Sequence, residues 1–322
     1  MTSPTQAPQF GVRQELPFQP NKRRLLDELY RGLRSREEDL ARDLMQCGLG
    51  VQSCFKAQTI SKVTFSKPAM LLVVRGSKEI QVPNKRFVAK AGEMLIVPPN
   101  VDFWLGKYPD ADSGIYQGMG FRFDIETVEE FRRAYGKGSD SWNLAANWRA
   151  PASEATLEWI QHWLDWSQKY PVSLQVQRHR LVELLLLLAQ AGLAGNILLG
   201  RGPSWRQRVS QLVGVDPARN WRYDDICRTL GVSESAMRRN LRLEGTGFRE
   251  LLEETRLMSG LTLVQETGMT ICQISDAVGY QSQSRFTDRF KERFGVTPSS
   301  LRRTALADGG EALLGSGEAR SE

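Results

Sequence analysis

Two short stretches of polar and cationic residues have the types and spacing needed to read base-pair edges. They are Ser235, Arg238 and Arg239 in the first stretch and Gln283, Ser284 and Arg285 in the second. From a helix in the major groove, arginine can donate two hydrogen bonds to guanine, glutamine can pair with adenine, and hydroxyls can contact bases or phosphates. For either stretch alone, an ordinary solvated helix face is an equally good interpretation. The elements around each stretch must therefore distinguish a base-reading helix from a solvated one.

Each stretch lies in a copy of one pattern: a short helix, a turn with glycine and a second helix. The copies are DDICRTLGVSESAMRRNLRLEG from Asp224 and CQISDAVGYQSQSRFTDRFKERFG from Cys272. In each copy a glycine suits a left-handed turn, a serine suits the N-cap, and an i, i+4 apolar pair can anchor the second helix. These residues are Gly231, Ser233, Met237 and Leu241, then Gly279, Ser282, Phe286 and Phe290. Because both copies share this anatomy, the sequence predicts two helix-turn-helix units.

The segment between the copies, GFRELLEETRLMSGLTLVQETG, is long enough for one helix of about 19 residues, or roughly 28 Å. Such a spacer could hold two recognition helices near one turn of DNA apart, about 34 Å. Residues 201–304 contain 17 Lys and Arg against 12 Asp and Glu, in a chain with a net charge of +6 and a pI near 9.2. An anionic partner such as double-stranded DNA is therefore expected.

The N-terminal two thirds of the chain combine strands and helices. Residues 1–20 are expected to form a mobile arm and 21–48 an amphipathic helix. From Val51 to about Asp124, runs such as AMLLVVRG, KEIQV and KRFVAK predict short strands, with PNK at 83–85 as a hairpin turn. Several strands in about 70 residues predict a small antiparallel barrel or sandwich.

Helical spacing returns at 152–195, where two apolar helices flank Pro171 and predict a helical hairpin. The run Leu184–Leu188 is apolar on every side, so we expect it to be buried, either within the fold or against a second copy. Residues 200–204 read as a linker, and 305–322 as a disordered tail. The expected fold class is α+β, with an all-α C-terminal part.

Composition argues against several kinds of site. The cysteines Cys47, Cys54, Cys227 and Cys272 have no metal-binding spacing and are expected to be small buried hydrophobes. With two histidines in the chain, we expect no metal site and no cofactor. The start MTSPTQAPQFGVRQ lacks the apolar stretch of a secretory signal, and no run has the roughly 20 apolar residues of a spanning helix. A cytoplasmic protein without a membrane partner is expected.

The stretch from about 205 to 304 resembles the DNA-binding domain of AraC/XylS-type transcription regulators, above all in GYQSQSRFTDRFKERFGVTPSSLR. The resemblance implies base contacts from the six residues named first, and phosphate contacts from Arg289 and Lys291. Two residues depart from the family pattern. Gly260 stands where alanine is usual, at a cost of up to about 1 kcal/mol of helix propensity. Asp288 places an acid on the outward face of the second recognition helix.

The strand-rich part is similar to the cupin-like regulatory domain of that family, through AGEMLIVPPN. The resemblance therefore implies a regulatory domain over 21–200 that consists of a cupin-like β barrel and a helical hairpin, with the hairpin 152–195 as a dimer interface. A double helix-turn-helix domain over 201–304 would follow. Where an enzymatic cupin carries a metal histidine, this chain has Val101, Asp102 and Phe103. Since 49–125 contains no histidine, a metal-dependent cupin enzyme is not expected.

These observations favour an effector-responsive activator of transcription that acts with RNA polymerase. Five apolar residues could line an effector cavity or be ordinary core: Leu71, Val73, Ile96, Phe103 and Trp104. Control by a partner protein instead of a small molecule is the alternative. An enzyme built on the β domain is the third class of function, and its candidate acids are Glu79, Glu93 and Asp102. We expect these carboxylates to be solvated surface acids. An enzyme is disfavoured because no nucleophile, phosphate loop or metal cluster accompanies them.

Overall fold

A computed structural model describes residues 20–34, 49–136, 142–170, 173–199 and 203–305. The predicted N-terminal arm, the 21–48 helix beyond Arg34 and nearly all of the predicted tail lie outside the described residues.

Among the described residues, nine antiparallel strands form two sheets, one of five strands in the order β1-β8-β3-β6-β9 and one of four in the order β2-β7-β4-β5. Their bounds are β1 Leu49–Cys54, β2 Gln58–Thr64, β3 Ala69–Arg75, β4 Ser77–Val82, β5 Lys85–Lys90, β6 Glu93–Val97, β7 Asp102–Tyr108, β8 Tyr116–Arg122 and β9 Arg149–Pro151. The hairpin predicted at 83–85 is confirmed, since Val82 pairs with Lys85. Of the two expected β architectures, the chain adopts the open sandwich.

Helices cover one face of the five-stranded sheet. They are α1 Pro20–Arg34, α2 Ile125–Tyr135, α3 Glu154–Lys169, α4 Leu174–Gln190 and α5 Gly195–Leu198. Their apolar side chains form one buried cluster with alternate residues of the sheet, such as Leu72 and Phe121. Leu184, Leu185 and Leu188 lie in this cluster, so the apolar run predicted to be buried packs within a single chain.

The C-terminal part is entirely helical among its described residues. Its helices are α6 Trp205–Val215, α7 Tyr223–Leu230, α8 Glu234–Leu243, α9 Phe248–Glu266, α10 Ile271–Ala277, α11 Gln283–Phe294 and α12 Pro298–Arg303. The duplicated pattern is confirmed, with α7 and α8 as the first unit and α10 and α11 as the second. Gly231 and Gly279 have φ of +66° and +80°, and the Ser233 and Ser282 hydroxyls cap α8 and α11. The helix between the units, α9, has the expected 19 residues.

The two units are anchored differently. The first has a core of its own, built around Val209, Met237 and Leu241. In the second unit Phe286, Phe290 and Phe294 are fully buried in a cluster that continues into the interior of the sandwich. The second unit and the sandwich therefore share one hydrophobic core, whereas the first unit is a separate packing unit.

Gly260 in α9 is explained by that shared core. A Cβ atom at Gly260 would lie 2.7 Å from Cε2 of the buried Phe286 ring. The glycine, which costs helix propensity, is what allows α9 and α11 to approach this closely.

We expect Gly260→Ala to lower the free energy of unfolding by about 1–3 kcal/mol, because the overpacked ring outweighs a gain in helix propensity of about 1 kcal/mol. Gly214→Ala in α6 is the matched control, since no atom lies within 4 Å of its Cβ position, and it should be neutral or stabilising. Urea unfolding of both variants provides the measurement. A Gly260→Ala protein as stable as the Gly214→Ala protein would contradict this explanation.

Candidate functional site

The six residues predicted to read bases are all exposed, at the start and on the outer face of the second helix of each unit. The Ser233 hydroxyl accepts from the backbone N–H of Ala236, and the Ser282 hydroxyl from that of Arg285, both at 3.3 Å. Because these caps fix the first turn of α8 and of α11, the side chains that follow have defined starting positions. The arrangement leaves both helix starts open to an outside partner.

The cations on these helices are not equally free. Arg238 lies 3.7 Å from Glu234 and over the Tyr223 ring. Arg289 is engaged by two acids, Glu253 at 3.1 Å and Glu292 at 2.7 Å. Within the described part of the chain, no ion pair is found for Arg239, Arg285 or Lys291, which are exposed and available to an anionic partner. Asp288 is exposed on the same helix as Arg285.

Hydrogen bonds fasten the second unit to the sandwich. Arg293 of α11 donates to the Thr64 hydroxyl at 3.0 Å, and the Gln58 amide donates to the Thr304 hydroxyl at 2.6 Å. The backbone N–H of Phe55 donates to the carbonyl of Thr304 at 2.8 Å. Any ligand that reshapes the sandwich edge would therefore act directly on the second unit.

Glu266, the last residue of α9, is a buried acid inserted against the sandwich. Its carboxylate packs on Gly50, where a Cβ would collide with it. The Gln52 amide donates to it at 3.3 Å, and Arg122 lies 3.9 Å away. Burial raises the pKa of Glu266, while Arg122 opposes the shift. This contact ties the helix between the two units to the β domain.

The sandwich interior contains two lysines side by side. Gln58, Lys107 and Lys78 occupy neighbouring positions across the four-stranded sheet, and the two lysine side chains are 1% and 4% exposed. Neither lysine has an ion pair among the described residues. Lys78 faces the Tyr116 ring, 5.7 Å from its centroid. Buried like charges on adjacent strands are costly.

Burial also changes how these lysines titrate. Burial lowers the pKa of Lys107 to about 8, with Cys54 and Glu266 opposing the shift. The pKa of Lys78 is lowered well below its usual value by burial and by the charge of Lys107. An anionic group placed between them would favour their charged forms.

The five predicted cavity residues do not come together. Leu71, Val73 and Phe103 belong to the cluster that fills the sandwich interior. Ile96 packs on the opposite face of its sheet, in the cluster under the helices. Trp104 is half-buried, and it follows Phe103 in the strand, so its side chain points to the other face. The prediction of one cavity lined by all five residues is wrong, because alternate strand positions face opposite sides.

The sequence prediction missed both interior lysines, although a signal was present. Lys78 alternates with Ile80 in β4, and Lys107 alternates with Phe103 and Leu105 in β7. This period of two places each lysine on an apolar face. The predicted surface acid Glu79 is also buried, at 3% exposure, and is paired with Arg86. Of the cysteines, Cys54 and Cys227 are buried as expected, whereas Cys272 is exposed and Cys47 lies outside the described residues.

The described ranges contain neither a metal-binding cluster nor a membrane-spanning helix. No group of three or more His, Cys, Asp or Glu side chains is arranged to hold a metal ion. No helix there has the length and apolar character needed to cross a bilayer.

Comparison with known proteins adds to this geometry. Residues 226–304 match a family model described as a helix-turn-helix domain. The urease operon transcriptional activator of Escherichia coli is 33% identical over 96 residues, 30% of this chain and 32% of that protein. The TCP pilus virulence regulatory protein of Vibrio cholerae is 34% identical over 93 residues, 29% of this chain and 34% of that protein. The chain therefore spans about a third of the length of these relatives.

The structural similarity extends further along the chain. A structure of ToxT from Vibrio cholerae superimposes with a TM-score of 0.58 at 17% identity, covering 80% of this chain and 98% of that one. A second ToxT structure, with unsaturated fatty acid bound, gives a TM-score of 0.56 at 20% identity over 80% and 94% of the two chains. At these identities the likeness shows a common fold that includes the β domain.

Lys107→Met should make stability less dependent on pH. A lysine whose pKa is about 8 in the folded protein and 10.5 when unfolded makes the folded state bind fewer protons between these values, so stability rises with pH there. Between pH 7 and 9 the wild-type protein should gain unfolding free energy relative to Lys107→Met, which at pH 7 should be the more stable of the two. Urea titrations of both proteins at each pH test this expectation. Parallel pH profiles would show that Lys107 is not a buried, unpaired ammonium.

Proposed function

We propose that this chain is a sequence-specific DNA-binding transcription regulator, because residues 226–304 match a helix-turn-helix family model and resemble the DNA-binding domain of AraC/XylS-type regulators. The observation that carries the proposal is the pair of exposed, serine-capped helices, α8 and α11, each with its own set of polar and cationic side chains. The 19-residue helix α9 spaces them so that one chain reads two adjacent major grooves.

In this proposal the six exposed residues of α8 and α11 read bases. Arg239 and Arg285, which need not break an ion pair, are the best placed to bind guanine through two hydrogen bonds. Ser235, Gln283 and Ser284 add contacts to bases or nearby phosphates. Lys291 contacts phosphate, and Arg289 does so only after it leaves Glu253 and Glu292.

We further propose that the β domain makes this regulator responsive to a small molecule. The supporting observation is the pair of buried lysines, Lys78 and Lys107, which have no ion pair within 4 Å among the described residues, although Glu266 is near enough to favour their charged forms. An effector with an anionic group and an apolar body would neutralise them and pack against Leu71, Val73 and Phe103. The fatty acid bound in one ToxT structure is a ligand of this chemistry. Since the second unit shares this core, occupancy would change how that unit is held.

The partners in this proposal are double-stranded promoter DNA, RNA polymerase and a second copy that binds through 152–195. The protein acts in the cytoplasm and is not an enzyme. Control by a partner protein is the second candidate, favoured by the exposed apolar residues Leu174 and Val176 at the start of α4. An activator is expected, by analogy with the urease operon transcriptional activator.

Selection of bound duplexes from a random pool tests the primary proposal. Arg285→Ala should lose about 1–3 kcal/mol of discrimination at one base position, because a bidentate contact disappears. Lys291→Ala is the matched control on the same helix. It should weaken binding to all duplexes alike and reduce the salt dependence, because it removes a phosphate contact.

An unchanged ranking of sites for Arg285→Ala would remove its role in base reading. If the wild-type protein bound every duplex equally, the proposed function itself would be wrong.

The effector proposal has its own test. An unsaturated fatty acid should raise the melting temperature of the wild-type protein and shift its affinity for the selected DNA site, because it binds the folded state. Lys107→Met should lose both responses while still recognising the same site. Lys85→Met, an exposed lysine of β5, is the control and should keep both. A full fatty-acid response in Lys107→Met would exclude the lysine pair as its binding site.

A further inference from the structure

A cleft in the first helix-turn-helix unit is lined by arginines. It has a volume of about 820 Å³ and lies where the start of α7, the end of α8 and the start of α9 meet. Arg238, which is paired with Glu234, is one of the lining residues. The other three lining arginines come one from each element and are Arg222, Arg242 and Arg249. All three side chains are exposed. The cleft therefore presents positive charge from three directions.

The core of the first unit fixes the backbone positions from which these arginine side chains extend. Arg222 precedes Tyr223, Arg242 follows the buried Leu241, and Arg249 follows Phe248. The Tyr223 and Phe248 rings pack edge to face with centroids 5.3 Å apart, and all three apolar residues belong to one cluster. Since the backbone on each side is held by packing, the cationic groups are presented on a rigid base, which limits the entropy lost on binding.

The three cleft arginines have fewer acidic neighbours than Arg289 and Arg293 of the second unit. No ion pair with Arg222, Arg242 or Arg249 is found among the described residues, and the one acid lining the cleft is Glu250. In the second unit, by contrast, Arg289 is paired with Glu253 and Glu292, and Arg293 lies 3.7 Å from Glu254. An anion that enters the cleft meets three guanidinium groups without an ion pair, whereas an anion that reaches Arg289 or Arg293 must displace carboxylates.

We propose that this cleft binds phosphodiester groups of the DNA backbone beside the segment read by α8. The planar guanidinium group matches phosphate geometry with two parallel hydrogen bonds. The inference rests on the proposed function, because it assumes that α8 lies on DNA. It adds three phosphate-binding residues to the residues of α8 that are proposed to read bases.

The test compares salt dependence in full-length proteins. Affinity for a duplex with the selected site and for an unrelated duplex is measured between about 50 and 200 mM potassium chloride. The triple variant Arg222→Gln, Arg242→Gln, Arg249→Gln should lose roughly 0.9 of logarithmic slope for each contact removed, on both duplexes. The ranking of DNA sites should not change, since phosphate contacts carry no sequence information.

Two comparisons isolate the cleft. Lys85→Gln, Lys90→Gln, Arg133→Gln removes the same charge from exposed positions of the β domain and should leave the slope nearly unchanged. Arg289→Gln in the second unit should reduce the slope less than Arg242→Gln alone, because Arg289 is already paired. Circular dichroism and melting curves confirm that the variants are folded, and single substitutions replace the triple variant if it is not.

A folded cleft variant with the wild-type slope would overturn the inference, as would an equal loss in the β-domain control or a larger loss for Arg289→Gln than for Arg242→Gln. Failure of the proposed function gives a different result. In that case the wild-type protein would show no preference among duplexes, whether or not the cleft arginines set the salt slope.

Discussion

The shared hydrophobic core of the sandwich and the second helix-turn-helix unit is the constraint on which the rest of the structure depends. Phe286, Phe290 and Phe294 occupy one side of α11 and are fully buried, which leaves the opposite side for an outside partner. The same cluster contains the inward residues of both sheets. A change of packing inside the sandwich is therefore transmitted to a helix that carries predicted base contacts, because close-packed cores transmit strain.

Glu266 extends this coupling to the helix between the units. It ends α9, packs on Gly50 and faces Arg122, so the β domain holds both the second unit and the spacer that sets its distance from the first. Gly260 serves the same arrangement by letting α9 approach α11. The first unit has its own core and a few polar contacts to the rest, such as Gln211 to Glu126 at 2.8 Å and Arg206 to Glu254 at 2.7 Å.

The distribution of charged side chains also differs between the β domain, the second unit and the first unit. Buried lysines in the sandwich destabilise the protein unless an anion joins them, which makes Lys78 and Lys107 a natural place for control by a ligand. Arg289 and Arg293 of the second unit are paired with Glu253, Glu254 and Glu292, whereas the three cleft arginines of the first unit have no ion pair among the described residues. In the proposed function, an effector in the sandwich would therefore act more directly on the second unit, which shares that core, than on the first. Such a division suits a response that depends on an effector.

The amino-acid sequence alone determined the duplicated units, because their signals are local. Glycine at positive φ, serine at the N-cap and apolar pairs four residues apart act within one turn of helix, so Gly231, Ser233 and Gly279 could be placed without knowing their neighbours. The antiparallel strands and the 83–85 turn followed from period-two patterns in the same way. The length of α9 followed from its uninterrupted helical spacing.

Only the tertiary structure decided which residues meet across the fold. The assignment of Ile96 to the helix-covered face, the burial of Glu79 and the pairing of Lys78 with Lys107 depend on strand register and on which face each sheet buries. The ion pair of Arg289 with Glu253 depends on how α9 packs near α11, and Arg242 has no ion pair among the described residues. Such contacts join positions far apart in the chain, and no local preference specifies them.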